Sequence, residues 1–170
     1  MLSTEFLHRL LANLRRSEPH MTHLLRHFVQ AESPSLDKAA VDRLGRIVAR
    51  EWRQRGARVE ILPRRGRGNL IRATLAGASR RPAGQILVLG HLDTVYDIGA
   101  IARMPFRVTA GKAYGPGVLD MKSGLVLALF AVDALRDLGV SPSKRVVFLW
   151  TPDEEIGSEA SRGEIEREAW

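Results

Sequence analysis

The 170-residue sequence predicts an α/β domain. Segments with apolar residues three and four apart alternate with short, continuously apolar runs, as when helices pack on a sheet whose strands are buried on both faces. Two such runs, Ile86–Leu89 and Val146–Trp150, lead directly into polar side chains that can bind metal. His91 and Asp93 follow the first run, and Asp153-Glu154-Glu155 follow the second. In such sheets ligands gather outside the carboxyl ends of the strands, so both clusters are expected at one edge.

In chain order, Phe6, Leu7, Leu10, Leu11 and Leu14 place a helix over 3–15, and Met21, Leu24, Leu25 and Phe28 a second over 19–30. Ser33-Pro34-Ser35 is a break, and Ser35 is the expected N-cap of a helix over 36–55. Ala40, Leu44, Ile47, Val48 and Trp52 form its apolar stripe, and Gly56 ends it. Residues 59–62 and 69–75 read as strands joined by a turn, and 76–84 as a surface loop. Past the first polar cluster, 96–103 reads as a loop or short helix. Residues 106–108 and 112–114 read as a hairpin turning at Ala110-Gly111. Gly115-Pro116-Gly117 either is a tight loop or lets backbone approach a neighbour closely. The segment 124–132 is apolar almost all round, which marks a central helix that Gly139 ends. Residues 145–150 form the last strand.

Composition narrows the function classes. The chain has no Cys, so disulfides and thiolate ligands are excluded. No apolar run spans a membrane, and the first residues show no basic-then-apolar leader, so a cytoplasmic protein with no membrane partner is expected. The net charge of +7 raises nucleic acid as a partner. However, the bases, mostly Arg, read as scattered over helix faces and loops without interleaved aromatics. A solvated basic surface and no nucleic-acid partner are the expectation. A non-catalytic α/β domain that binds an anionic partner through its Arg-rich surface is the alternative.

The polar clusters carry the chemistry. His91 and Asp93 are two apart, so on extended backbone they share one side. They form either a surface pair or a metal ligand whose tautomer the acid fixes. Asp120 precedes the central helix and is a cap in the simplest reading. Glu154 and Glu155 end a wholly apolar strand, either as a solvated turn or around a cation. One His with several carboxylates suits zinc or a related divalent ion. Asp120 has two oxygens with which to bridge two ions, Glu155 is a terminal ligand, and Glu154 stays unligated as a general base.

Three stretches, Gly90-His-Leu-Asp-Thr-Val, Tyr114-Gly-Pro-Gly-Val-Leu-Asp-Met-Lys-Ser-Gly and Asp153-Glu-Glu-Ile-Gly-Ser, together resemble the zinc exopeptidase family. That family holds glutamate carboxypeptidase, acetylornithine deacetylase, succinyl-diaminopimelate desuccinylase and aminoacylase. Residues 91–117 are similar to its folate-hydrolysing glutamate carboxypeptidase branch in particular. The resemblance implies a three-layer catalytic domain with a mostly parallel mixed sheet, of which residues 1–170 are the N-terminal portion. It implies two Zn2+ (or Co2+ or Mn2+), with His91 on one, Asp120 bridging, Glu155 on the other, Glu154 as base and Asp93 supporting His91. The substrate would be a small peptide or an N-acyl amino acid. A cis peptide bond is expected after Asp120. The family takes two further ligands, an acid and a late His, and its dimer-forming lid domain, from sequence beyond these motifs. An incomplete ligand set and an inactive fragment are therefore expected.

Overall fold

The computed structural model describes residues 3–79 and 84–170. Residues 80–83 of the expected surface loop lie outside the described residues. Helix α1 (Thr4–Gln30) starts at Ser3, whose hydroxyl accepts from the Phe6 amide at 3.1 Å. Two helices are expected here, yet one runs through Pro19. Proline deletes one i→i−4 bond. Arg15, whose carbonyl loses that bond, is exposed, so water can replace it. The helix is also held by packing on α4 (Ser123–Asp137) and by Asn13 donating to Asp137 at 3.2 Å.

Helix α2 (Lys38–Gln54) is capped by Asp37, not by the expected Ser35: the Asp37 carboxylate accepts from the Ala40 amide at 2.9 Å. Ser35 is drawn elsewhere, because its backbone is stitched to Thr94 beyond the first polar cluster. Gly56, at φ 82°, ends α2 as expected, with the Ala57 amide reaching back to the Trp52 carbonyl.

Strands β1 (Arg58–Leu62), β2 (Leu70–Leu75), β3 (Gln85–His91) and β6 (Arg145–Thr151) form one mixed sheet in the order β1-β2-β6-β3. Only β3–β6 is parallel among the described residues, and β1–β2 and β2–β6 are antiparallel. The parallel share is smaller than expected because the short 63–69 connection returns β2 beside β1, which favours antiparallel pairing. The separate hairpin β4 (Arg107–Thr109) and β5 (Lys112–Tyr114) forms as expected. Helix α3 (Ala100–Arg103) fills the loop after β3.

Helices α1, α2 and α4 (Ser123–Asp137) are linked to one another and to the sheet by contacts on one face. Their shared core centres on Trp52, Phe148 and Trp150, whose ring centroids lie 4.1–6.1 Å apart. Arg55 ties α2 to α4, pairing with Glu51 at 2.9 Å and with Asp133 at 2.8 Å. The sequence reading assigns no helix after β6, yet α5 (Arg162–Ala169) covers part of the opposite face. Glu168 on α5 binds Arg72 of β2 at 2.6 Å, and its backbone carbonyl accepts from Gln85 of β3 at 2.6 Å. Helix, sheet and helix make three layers, the expected class. Among the described residues no helix is long and apolar enough to cross a membrane.

Candidate metal centre

Both polar clusters do emerge at one edge, because β3 and β6 run parallel in register, with His91 opposite Thr151. Gly90 is required one residue before His91. A Cβ there would lie 2.7 Å from the Trp150 ring and 2.8 Å from the Met121 methyl. Met121 comes so close because the turn 118–122 departs from helical dihedrals at Asp120 (φ −120°, ψ 102°). The Asp120–Met121 bond is cis, as the resemblance implies. Gly117, at φ 66°, lets this turn pass Thr94, where a Cβ would sit 2.6 Å from the Thr94 methyl. Of the two readings of Gly115-Pro116-Gly117, close approach is therefore the one realised.

His91, Asp120 and Glu155 each offer a ligand atom within 4.8 Å of the others. His91 is 5% exposed. Its Nε2 lies 2.9 Å from Asp120 Oδ1 and 3.9 Å from Glu154 Oε2. Its Nδ1 faces Asp93, 3.0 Å from the carbonyl and 3.4 Å from Oδ1. Asp93 is fully buried and accepts from Ser35 Oγ at 2.6 Å, the Glu154 amide at 3.2 Å and the Glu155 amide at 3.3 Å. One carboxylate thus orients the imidazole and fixes the backbone that carries both glutamates.

Burial opposes an imidazolium, but hydrogen bonds to Asp93 and Asp120 outweigh it and raise the His91 pKa to about 9. Burial likewise pushes Asp93 up, yet the bonds from His91 and Ser35 leave it below its usual value. Glu155 is raised, by burial and then by the charge of Asp120. The donor set fits a divalent cation. One imidazole nitrogen and two carboxylates converge, a buried acid holds the far imidazole nitrogen, and a proton on His91 supplies positive charge that an ion would replace.

The three consecutive acids separate in role. Asp153 is buried and accepts from the Ala160 amide at 2.6 Å, so it shapes the turn, whereas the Glu154 side chain is 56% exposed and faces His91.

Four contributors escaped the sequence reading. Ser33 donates to the Leu92 carbonyl at 2.8 Å, beside the Ser35–Asp93 bond. Their alternation at 33 and 35 was the available signal, since period two marks extended chain. Lys122 is 2% exposed, and its ammonium donates to the Phe28 carbonyl at 3.0 Å. Its pKa is lowered to about 8 by burial, which Glu32 partly opposes. Glu32 in turn accepts from the Gly99 and Ile101 amides at 2.9 Å and fixes the loop after β3. Glu32 stands in no pattern that marks it in advance, and Lys122, though inside the second family-like stretch, carries no sign there that its charge is buried.

Comparison with known proteins gives a family and a fold. The family model described as Peptidase family M20/M25/M40 matches residues 87–169. The chain is 31% identical over 153 residues to carboxypeptidase G2 of Pseudomonas sp. (strain RS-16), covering 89% of this chain and 36% of that protein. Human carnosine dipeptidase 1 superposes with a TM-score of 0.80 at 23% identity, over 98% of this chain and 38% of that one. The di-peptidase Dug1p of Saccharomyces cerevisiae follows at 0.76 and 19%, over 96% and 38%. The M20 family metallo-carboxypeptidase Sso-CP2 of Sulfolobus solfataricus gives 0.71 and 20%, over 86% and 34%. The chain thus spans little more than a third of each relative's length, and the structural likenesses speak for the fold.

Proposed function

Because the chain belongs to peptidase family M20/M25/M40, we propose that it carries one part of a two-metal centre that hydrolyses amide bonds. The substrate would be a C-terminal peptide or an N-acyl amino acid of the glutamate carboxypeptidase kind. The observation that carries this reading is the convergence of His91, Asp120 and Glu155 over a fully buried Asp93.

In this reading His91 and Glu155 are terminal ligands and Asp120 bridges. Bound divalent ions, zinc above all, would polarise a carbonyl and lower the pKa of water. Asp93 holds His91 by its Nδ1 side, which leaves Nε2 free for coordination. Glu154 makes no direct claim on a ligand position. Its carboxylate is exposed beside His91, which supports a role as general base that would take a proton from the attacking water and return it to the leaving amine. Asp120 shared between two ions gives each only two protein ligands among the described residues, whereas working sites usually have three. Further ligands, a lid domain and the rest of the catalytic domain would come from polypeptide outside this stretch. Residues 1–170 alone would turn over no substrate at a useful rate.

The test has two arms. Calorimetric titration of the chain with Zn2+ or Co2+ should show weak binding that His91→Ala or Asp120→Asn abolishes; binding indifferent to both would sink the metal site. Release of glutamate from an N-acyl-glutamate or a folate-like substrate is then assayed with zinc, beside Glu154→Ala. Zinc-dependent turnover that the substitution removes would show that this stretch works unaided, and would overturn the incomplete-site reading while keeping the roles.

A further inference from the structure

The sequence reading takes the arginines as scattered, but the fold collects four of them. Arg43, Arg46, Arg50 and Arg53 follow one another at three- and four-residue steps along α2, so they share one face, and all four are exposed. The opposite face, with Val41, Leu44, Val48 and Trp52, is wholly buried. None of the four side chains makes an ion pair or hydrogen bond among the described residues. The acids of the same helix are engaged elsewhere. Asp42 holds the Lys38 ammonium at 2.9 Å and the Asn69 amide at 2.7 Å, and Glu51 holds Arg55 at 2.9 Å. Each successive arginine pair is a like-charge neighbour that destabilises a helix, and no acid among the described residues pairs with any of the four. The loop at 63–69 packs against the second turn of α2, where Asn69 bonds Asp42, and it adds exposed Arg65 at that end, whereas Arg67 is half-buried and donates to the Gly66 carbonyl at 3.0 Å.

A row of uncompensated cations calls for a regularly charged anion. From Arg43 to Arg53 the helix rises about 15 Å. One strand of duplex DNA carries a phosphate about every 3.4 Å along the axis, so about four phosphates face four guanidinium groups over that length. The face has no exposed aromatic on which unpaired bases could stack, because Trp52 is buried. None of the exposed large apolar side chains lies within α2, so it lacks what a helix uses to enter a lipid interface. We propose that the outer face of α2 docks the phosphodiester backbone of a nucleic-acid duplex without reading its sequence. The inference is independent of the peptidase reading, since this face is built by residues outside the metal centre.

The probe is a fluorescein-labelled DNA duplex of mixed sequence, followed by anisotropy with the 170-residue chain. With four phosphates neutralised the logarithmic salt slope is about −3.6, an affinity loss of about 150-fold between roughly 50 and 200 mM salt. Replacing two of the four, in Arg43→Gln/Arg50→Gln, should halve the slope and leave a loss of only about 12-fold over the same range. Arg46→Gln/Arg53→Gln should do the same, and far-UV circular dichroism should stay unchanged, because glutamine is a good helix former. Arg9→Gln/Arg16→Gln removes equal charge from α1 and should leave the slope near its original value. Three results overturn the proposal: no binding at low salt, an equal effect of the α1 control (which would assign binding to net charge alone), or equal or tighter binding to phosphatidylserine vesicles lost in the same α2 variants.

Discussion

Asp93→Asn in the metal-free chain gives the sharpest test of the site's electrostatics. His91 titrates at about 9 in the folded chain against an ordinary 6.5. A pKa raised on folding contributes stability that is fully present below 6.5 and is lost as pH rises through 9. A gap of this size is worth about 3 kcal/mol, and the near-complete burial of His91 leaves little solvent screening to reduce it. Lys122 acts with the opposite sign. Its pKa, depressed to about 8 from 10.5, adds stability as pH rises across that interval. The variant must therefore be read against the wild type at each pH. Urea denaturation with EDTA present, at steps from pH 6 to 9.5, should show the wild type losing its advantage over Asp93→Asn steadily between 6.5 and 9. Parallel curves through that window would mean that Asp93 does not set the charge of His91. In the same window, loading a divalent ion should release a proton from the wild type, because ion and proton compete for Nε2.

Other substitutions probe single contacts. Ser35→Ala removes the 2.6 Å bond to a buried carboxylate and should cost about 1–3 kcal/mol in chemical denaturation; Asp37→Ala removes only a helix cap and should cost about 1 kcal/mol. Gly90→Ala forces a methyl to within 2.8 Å of Met121 and 2.7 Å of Trp150. It should cost about 1–3 kcal/mol by overpacking, read as a lower thermal midpoint. Lys122→Met should abolish the rise in stability that sets in near pH 8, seen once the same urea series is extended to pH 10.5.

Much of the site was legible because its residues sit at places the chain itself marks. His91 and Glu154-Glu155 end apolar strands, and Asp120 opens an apolar helix, so their convergence follows once β3 and β6 lie side by side. What stayed hidden depends on partners distant in sequence. Ser35 looked like a cap because its local neighbours allow one, while its actual partner, Asp93, lies 58 residues away. Helix α1 looked like two because Pro19 breaks the local pattern, whereas contacts with α4 hold it as one. Lys122 gives no local sign that its charge will be buried against the end of α1. The basic row on α2 lay in plain view at three- and four-residue steps, yet which face turns outward is settled only by the core on the other side.

The stitching of the α1–α2 link to the metal centre bears on the order of folding. Ser33 and Ser35 reach partners 59 and 58 residues away, Lys122 reaches back 94 residues to Phe28, and Asp93 waits 61 and 62 residues for the Glu154 and Glu155 amides. Each of these links closes a long loop before it returns any bond, so such contacts form slowly and late. A chain leaving the ribosome can form α2 early and join α1 across Pro19 once α4 is made, but Asp93 has its full set of donors only after β6 has joined the sheet. Metal capture should therefore coincide with the final consolidation of the fold, and stopped-flow refolding with a zinc-sensitive dye should show uptake no earlier than the last change in tryptophan fluorescence.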